Sequence, residues 1–281
     1  MSELLSLLVV AWVVYVSDTA WWVGPESLVL TGHASGEFRV RAGPRYTVRQ
    51  ERGFIFTKTM PPFPPSFELR DAGGGQKASP ERIRQVATQA AKAARPLAWM
   101  GAALWVFTFA IAPASIVLVG LHRAWLPVVA GLFGGALAIV VAFARAWRVV
   151  YPASPRGWRS DGAPMFLAPL GAIRASDKLT RRALQDFGPI AVVGALASDE
   201  EFVRVARLWY FEDADRETSR REGIRAEVDA LVAARGLSHA LHAAPPRESP
   251  CMEGYCPRCR TQLMRTGGCC PDCLTVAILP L

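Results

Sequence analysis

The sequence predicts an α-helical integral membrane protein: three crossing helices, a small β-rich module and a helical bundle facing the cytosol, and a metal-binding tail. Three observations lead there. Residues 97–120 and 125–144 form two uncharged runs, LAWMGAALWVFTFAIAPASIVLVG and WLPVVAGLFGGALAIVVAFA. Only Leu121, His122, Arg123 and Ala124 separate them. All six cysteines fall between Cys251 and Cys273, four of them in paired Cys-x-x-Cys units.

Of the 281 residues, 51% are hydrophobic. The excess is concentrated in these runs, which points to lipid rather than to a large soluble core. A helix rises about 1.5 Å per residue, so each run can cross a hydrocarbon layer of about 30 Å. A link this short forces an antiparallel hairpin (97–144) and leaves both flanks on one side. Pro113 predicts a kink in the first helix. Gly131 and Gly135 give a small-xxx-small spacing that suits close packing, either inside the hairpin or between copies.

The third crossing segment is expected at the N-terminus. Residues 4–16 are nearly all apolar, and Ser17, Asp18 and Thr19 lead into Trp21 and Trp22. The start, Met1-Ser2-Glu3, lacks the positive charge of a signal peptide, and no small-x-small cleavage site follows. Residues 1–23 therefore read as an uncleaved anchor with Asp18 near the interface and both tryptophans in the aromatic belt.

Charge sets the orientation. The net charge is +8. Arginines and lysines crowd residues 24–96 and recur at Arg145, Arg148, Arg156 and Arg159, whereas the hairpin link holds only Arg123. The positive-inside rule then places both flanks in the cytosol, with the N-terminus outside, as in a multi-pass protein of an inner membrane. The bilayer is the first expected partner, and a homo-oligomer is a further expectation.

Residues 24–70 alternate apolar with basic positions, as in Phe38-Arg39-Val40-Arg41 and Tyr46-Thr47-Val48-Arg49. With Leu28-Val29-Leu30 and Phe54-Ile55-Phe56 they predict a small antiparallel β module with one basic face. A proline strap at residues 60–65 and a glycine linker with Gly73, Gly74 and Gly75 follow. Residues 71–96 comprise this linker and a juxtamembrane helix capped by Ser79 with Pro80 at its first position.

Residues 145–247 read as a cytosolic helical region. A helix is expected from Ser176 to Leu184. A second follows a Ser198/Glu201 capping box, with Phe202, Val205, Ala206 and Trp209 as its buried stripe. A third follows a Ser219/Glu222 box, is lined by Ile224, Val228, Leu231 and Val232, and ends at Gly236. His239 and His242 stand three apart, a spacing that alone makes a poor metal site.

The sharpest local signal lies in residues 248–281. Tyr255-Cys256-Pro257-Arg258-Cys259 is followed, beyond Gly267 and Gly268, by Cys270-Pro271-Asp272-Cys273. Each Cys-x-x-Cys turn aims two sulfurs at one point, and two turns supply the four thiolates of a tetrahedral site. The clustering indicates metal in a reducing compartment rather than a disulfide framework. Cys269 beside Cys270 leaves two candidates for the third ligand, and Cys251 is a spare thiol.

These residues resemble the zinc-ribbon family, with its rubredoxin-like Cys-Pro-x-Cys knuckles, over a small part of the chain. The resemblance implies a structural Zn2+ on Cys256, Cys259, Cys270 and Cys273; the ligand set also suits iron. Arg260 stands where many ribbons carry glycine. As a whole the chain resembles bacterial integral membrane proteins, through its high Arg-to-Lys ratio and its anchor–sheet–hairpin–tail order.

No hydrolase, zincin, Walker or dinucleotide motif occurs, so no catalytic residues are assigned and an enzyme is disfavoured. The expected role is a membrane-anchored scaffold or regulator whose ribbon contacts another protein. The alternatives are an oligomeric channel or transport accessory built on the hairpin and a membrane-tethered nucleic-acid-binding ribbon. The last is disfavoured, because Glu248, Glu253 and Asp272 offset Arg258, Arg260 and Arg265.

Overall fold

The computed structural model describes residues 2–22, 27–32, 38–42, 54–56, 59–61, 65–70, 78–154, 156–211 and 218–281. They begin with α1 (Ser2–Thr19), β1 (Ala20–Trp22), β2 (Ser27–Gly32), β3 (Phe38–Ala42), β4 (Phe54–Phe56) and β5 (Ser66–Arg70). Next come α2 (Pro80–Val106), a π-helical turn (Phe107–Ile111), α3 (Ala112–Val119), α4 (Leu121–Val150), α5 (Arg159–Leu167), a 3₁₀ turn (Pro169–Arg174) and α6 (Ala175–Leu184). Then follow α7 (Pro189–Leu196), α8 (Asp199–Tyr210), α9 (Thr218–Ala234), α10 (Ser238–His242) and the short strands β6 (Gly254–Tyr255), β7 (Gln262–Leu263) and β8 (Leu279–Pro280).

The chain divides into two compact units. One comprises Met1–Trp22, Phe54–Phe67 and Arg84–Asp186; the other comprises Val23–Gly53, Glu68–Ile83 and Phe187–Leu281. The last boundary falls inside the stretch that the sequence groups as one helical region.

The helix α2, the π turn and α3 form a continuous rod, Pro80–Val119, of 40 residues, most of it in the first unit. The reversal into α4 takes one residue. Gly120 sits at φ 87, a left-handed conformation that glycine adopts without a Cβ clash. Its carbonyl accepts from the N–H groups of Arg123 and Ala124 at 3.2 and 3.0 Å. The expected four-residue link is thus the first turn of α4, and the hairpin is tighter than the sequence suggests.

The perturbation expected from Pro113 appears as the π turn just before it. Proline has no N–H for the carbonyl four residues back, and a wide turn absorbs the mismatch. Hydroxyls of Thr108 and Ser115 bond to the carbonyls of Leu104 and Ile111 at 2.7 and 2.8 Å. The glycine spacing acts within the hairpin: a Cβ on Gly131 would lie 2.4 Å from the Phe107 ring, and one on Gly135 would lie 3.0 Å from Leu104.

Among the described residues, two helices are long and apolar enough to cross a membrane, Pro80–Val119 and His122–Val150. Only 11% and 22% of the residues in their apolar stretches are buried. Trp99, Val117, Leu118, Leu126 and Leu137 are all exposed. In α1 the apolar stretch, Val9–Asp18, is shorter, so the expected third crossing is not established. Trp12 of α1 meets Phe109 edge-on at 5.1 Å, and Tyr15, wholly buried, donates to the Thr59 carbonyl at 3.0 Å. Trp21 and Trp22, expected in an aromatic belt, belong to β1, which pairs antiparallel with β4.

After α4 the chain doubles back. Trp147 Nε1 donates to the Ser154 carbonyl at 2.8 Å and fastens the reversal. The helix α5 then retraces α4: Gly162 lies beside Val140, and the Phe166 ring meets Phe133 edge-on at 5.9 Å. Met165, Ile173 and Leu179 enter the same core as Leu97, Ile139 and Phe143. At the start of α6, Arg174 Nε donates to Asp177 at 2.7 Å, and the Ser66 N–H donates to the same carboxyl at 3.4 Å. Burial pushes that carboxyl above the usual carboxylate range, against the pull of Arg174.

In the second unit, β2 pairs antiparallel with β3, in a sheet of order β3-β2-β5. Val40 is buried and Arg39 exposed, as the alternation predicts, whereas Leu28, Val29 and Leu30 are buried on both faces of β2. The strand β5 is one the sequence reading does not name. The expected strand at Tyr46, the glycine linker and most of the proline strap lie outside the described residues.

The helices α7 to α10 form a small bundle. The Ser198 hydroxyl accepts from the Glu201 N–H at 3.3 Å, as the capping box predicts. Phe202, Val205, Ala206 and Trp209 are buried, as are Val228 and Val232 of α9. Arg235 reaches back to the carbonyls of Gly194 and Ala197, at 3.2 and 3.1 Å, and occupies the open C-terminal end of α7.

Gly101 and Gly134 provide a matched test of the first unit. A Cβ on Gly101 would meet the Ile173 carbonyl at 2.2 Å, whereas Gly134 has open space. Gly101→Ala is expected to destabilise by about 1–3 kcal/mol through overpacking. Gly134→Ala is expected to be neutral or to stabilise by up to about 1 kcal/mol. Thermal unfolding in detergent reads both.

Candidate metal centre

The last stretch of the second unit contains too little apolar surface to fold on side-chain burial alone. Its order comes from two short hairpins that face each other. In the first, β6 pairs with β7, Gly254 opposite Leu263 and Tyr255 opposite Gln262, while β8 adds to the other edge of β6. In the second, Cys269 bridges antiparallel to Ala277. Gly254 is required by space: a Cβ there would lie 2.5 Å from the Arg265 carbonyl and 2.7 Å from Ile278.

The two hairpins carry one turn in duplicate. The Arg260 N–H donates to the Cys256 carbonyl, and the Leu274 N–H donates to the Cys270 carbonyl, both at 2.8 Å. The residue after each second cysteine is left-handed, with φ 62 at Arg260 and 58 at Leu274. That conformation costs a residue with a Cβ about 1–2 kcal/mol. Glycine would be relaxed at both places. The sequence departure noted at Arg260 is thus a strained position, and Leu274 is its counterpart.

The turns bring Cys256, Cys259, Cys270 and Cys273 together, with all four sulfurs within 4.8 Å of one another. The sulfurs of Cys259 and Cys270 lie 3.7 Å apart. Four thiolates at about 2.3 Å from one ion would be separated by tetrahedral edges of about 3.8 Å. The donor set fits a thiophilic dication with every position filled by protein. Cys270 is the buried member of the adjacent pair; Cys269 is exposed and lies outside the cluster, as does exposed Cys251.

Electrostatics inside the cluster favour a cation. Hydrogen bonds among Cys256, Cys259 and Cys273 place negative charge on Cys259, whose thiol is held well below its ordinary range. The partners hold their protons: Cys256 is pushed up to about 12 and Cys273 upward as well, chiefly by those same bonds, with burial adding to the effect. Four thiolates cannot coexist at this spacing without a positive centre, so metal uptake must release protons, and affinity must fall as pH falls.

Around the cluster, Phe211 packs against the cysteines. The Thr261 hydroxyl lies 3.2 Å from Cys259 Sγ and donates to Asp272 at 3.5 Å, which links the two turns. Arg207 of α8 donates to the carbonyls of Leu241, at 3.1 Å, and Ala240. Burial and then the charge of Arg260 pull its guanidinium below the usual range. The Tyr255 hydroxyl reaches the His242 carbonyl at 3.5 Å. The ribbon therefore rests on the end of α10 and on Phe211, the residue after α8. Of the two histidines, His242 packs edge-on against Tyr210 and Phe211, His239 is exposed, and neither joins the cysteine cluster.

The four cysteines were legible from their spacing. Phe211, Thr261 and Gly254 were not, because nothing in local sequence marks a distant ring, a hydroxyl or a missing Cβ as part of the site. Compared with protein-family models, curated proteins and solved structures, the chain matches none.

Single substitutions separate the adjacent cysteines. Cys270→Ser is expected to lower bound metal below about half an equivalent, and Cys269→Ser to leave it unchanged, by elemental analysis of purified protein. Arg260→Gly and Leu274→Gly are each expected to raise stability by up to about 1 kcal/mol, read from chelator-induced unfolding.

Proposed function

We propose that the protein is a membrane-anchored scaffold or regulator whose C-terminal ribbon, folded around a structural zinc ion, binds another protein on the cytosolic side. The observation that carries this reading is apolar surface on the ribbon itself. Met264 and Leu274 are 68% and 73% exposed, and Leu279 is also exposed. A closed four-cysteine site leaves no open coordination position for substrate, so the ion's role is to hold that surface in shape. A small domain held together at its cysteines, with apolar side chains facing outward, suits a protein-docking module.

The membrane part of the proposal rests on the outward-facing apolar residues of Pro80–Val119 and His122–Val150. A core helix of a soluble protein buries such residues, and these bury only a small share of theirs. Charge supplies the orientation: Arg123 is the lone Arg or Lys of the turn, against Lys92, Arg95, Arg145 and Arg148 at the other ends of the helices. The proposed topology has the turn outside and the ribbon in the cytosol, with α1 as an N-terminal anchor entering from outside.

Two measurements test this. In affinity capture of the full chain from detergent, Met264→Glu with Leu274→Glu is expected to lose partners that wild type retains, at equal zinc content; an unchanged partner set contradicts the ribbon as docking surface. A cysteine at the exposed His122 is expected to react with an impermeant thiol reagent on intact cells while the native Cys251, also exposed on the chain, stays protected. The reverse pattern inverts the topology.

A further inference from the structure

We propose that the groove between α2 and α4 is a binding site for one anionic phospholipid. The inference rests on the membrane reading above and adds a ligand that the reading does not require. Within the first unit, Gln89, Lys92, Pro96, Ala142, Arg145 and Val149 line a cavity of about 500 Å3. Sites for small molecules span about 300–1,000 Å3, so the space suits part of a lipid rather than a stray water.

The groove has two chemically distinct parts. Its wall is apolar and built from small or flat side chains, Pro96 and Ala142 together with Ala93 and Ala146. Such a surface leaves room for an acyl chain beside helices that otherwise present large residues outward. Its rim carries Lys92 and Arg145, one from each helix, both exposed. Arg145 immediately follows the uncharged run of α4, and Lys92 lies one turn before Pro96, where α2 enters its own uncharged run. Both cations therefore stand at headgroup depth when the helices cross the bilayer.

Charge complementarity selects the occupant. No Asp or Glu lines the groove, and among the described residues no ion pair engages Lys92 or Arg145. Two cations without a carboxylate attract a phosphate but offer nothing to a choline ammonium. An anionic headgroup such as phosphatidylglycerol is therefore favoured over a zwitterionic one. The rim is held in place: Gln89 Nε2 donates to the Val149 carbonyl at 3.0 Å, tying the end of α4 to α2 above the cavity. That carbonyl belongs to the last turn of α4, where no helical N–H remains to satisfy it.

The general basic character of this face would also draw anionic lipid, so the test removes equal charge inside and outside the groove. Arg95 and Arg148 lie on the same two helices, one turn from Lys92 and Arg145, are exposed and do not line the cavity. The full-length protein is reconstituted in nanodiscs of equal phosphatidylglycerol and phosphatidylcholine, and the lipids retained on release are counted by native mass spectrometry. Wild type is expected to retain phosphatidylglycerol in preference. Lys92→Gln with Arg145→Gln is expected to reduce that preference about tenfold or more. Arg95→Gln with Arg148→Gln is expected to keep it within about threefold. Ala142→Leu, which fills the groove without changing charge, is expected to lose the retained lipid while its elution profile stays monodisperse. Equal loss in both charge variants, or retention in Ala142→Leu, overturns the site. Failure to enter nanodiscs of phosphatidylcholine alone would instead contradict the membrane reading itself.

Discussion

Apolar side chains that point outward along two long helices impose the constraint on which the first unit depends. Exposing each such side chain to water costs about 25 cal/mol per Å2 of apolar surface, and the exposed residues run along both α2–α3 and α4. Local structure makes the pair possible. Gly120 reverses the chain in one residue, the π turn absorbs Pro113, and Gly131 and Gly135 admit Phe107 and Leu104. The inner faces meet at Leu104, Ala136, Ile139 and Phe143, and this shared core also receives Met165 and Ile173 from the segment that doubles back. A lipid environment would remove the cost of the outer faces, which is why the proposed function begins with the bilayer.

The tail follows a different economy. It has few apolar residues to bury, and its order rests on four sulfurs gathered by two copies of one turn. The left-handed Arg260 and Leu274 show that the turn geometry prevails over the preference of each residue. The four sulfurs lie close enough together to hold a metal ion, and a thiophilic dication would suit the set. Contacts with Phe211 and His242 then join the ribbon to the bundle of the second unit.

What could be read in the sequence was local or periodic. The uncharged runs, the Ser198 cap, the stripe from Phe202 to Trp209 and the cysteine spacing each repeat a pattern within a few residues, and each has its structural counterpart. What escaped depends on partners far along the chain. Trp21 and Trp22 read as belt residues because β4, which β1 pairs with, lies more than thirty positions away. The strand β5 escaped because Ser66 and Glu68 are buried together with Phe67 and Leu69, and its alternation does not separate core from solvent. The return of α5 along α4 is carried by Gly162 and Phe166, whose neighbours Val140 and Phe133 are set by tertiary packing. His242, whose spacing from His239 made a poor metal site, instead packs edge-on against Tyr210 and Phe211, contacts that local sequence does not mark.

The proposed membrane anchoring depends on the helical hairpin residing in lipid. Membranes from cells expressing the full chain, washed in alkaline carbonate, address this directly, because the treatment strips peripheral proteins and leaves embedded ones. A hairpin embedded in lipid keeps the chain in the membrane pellet, so that it enters solution only with detergent. Quantitative release into the carbonate supernatant would contradict it, and would leave the cysteine cluster as a feature of a soluble protein.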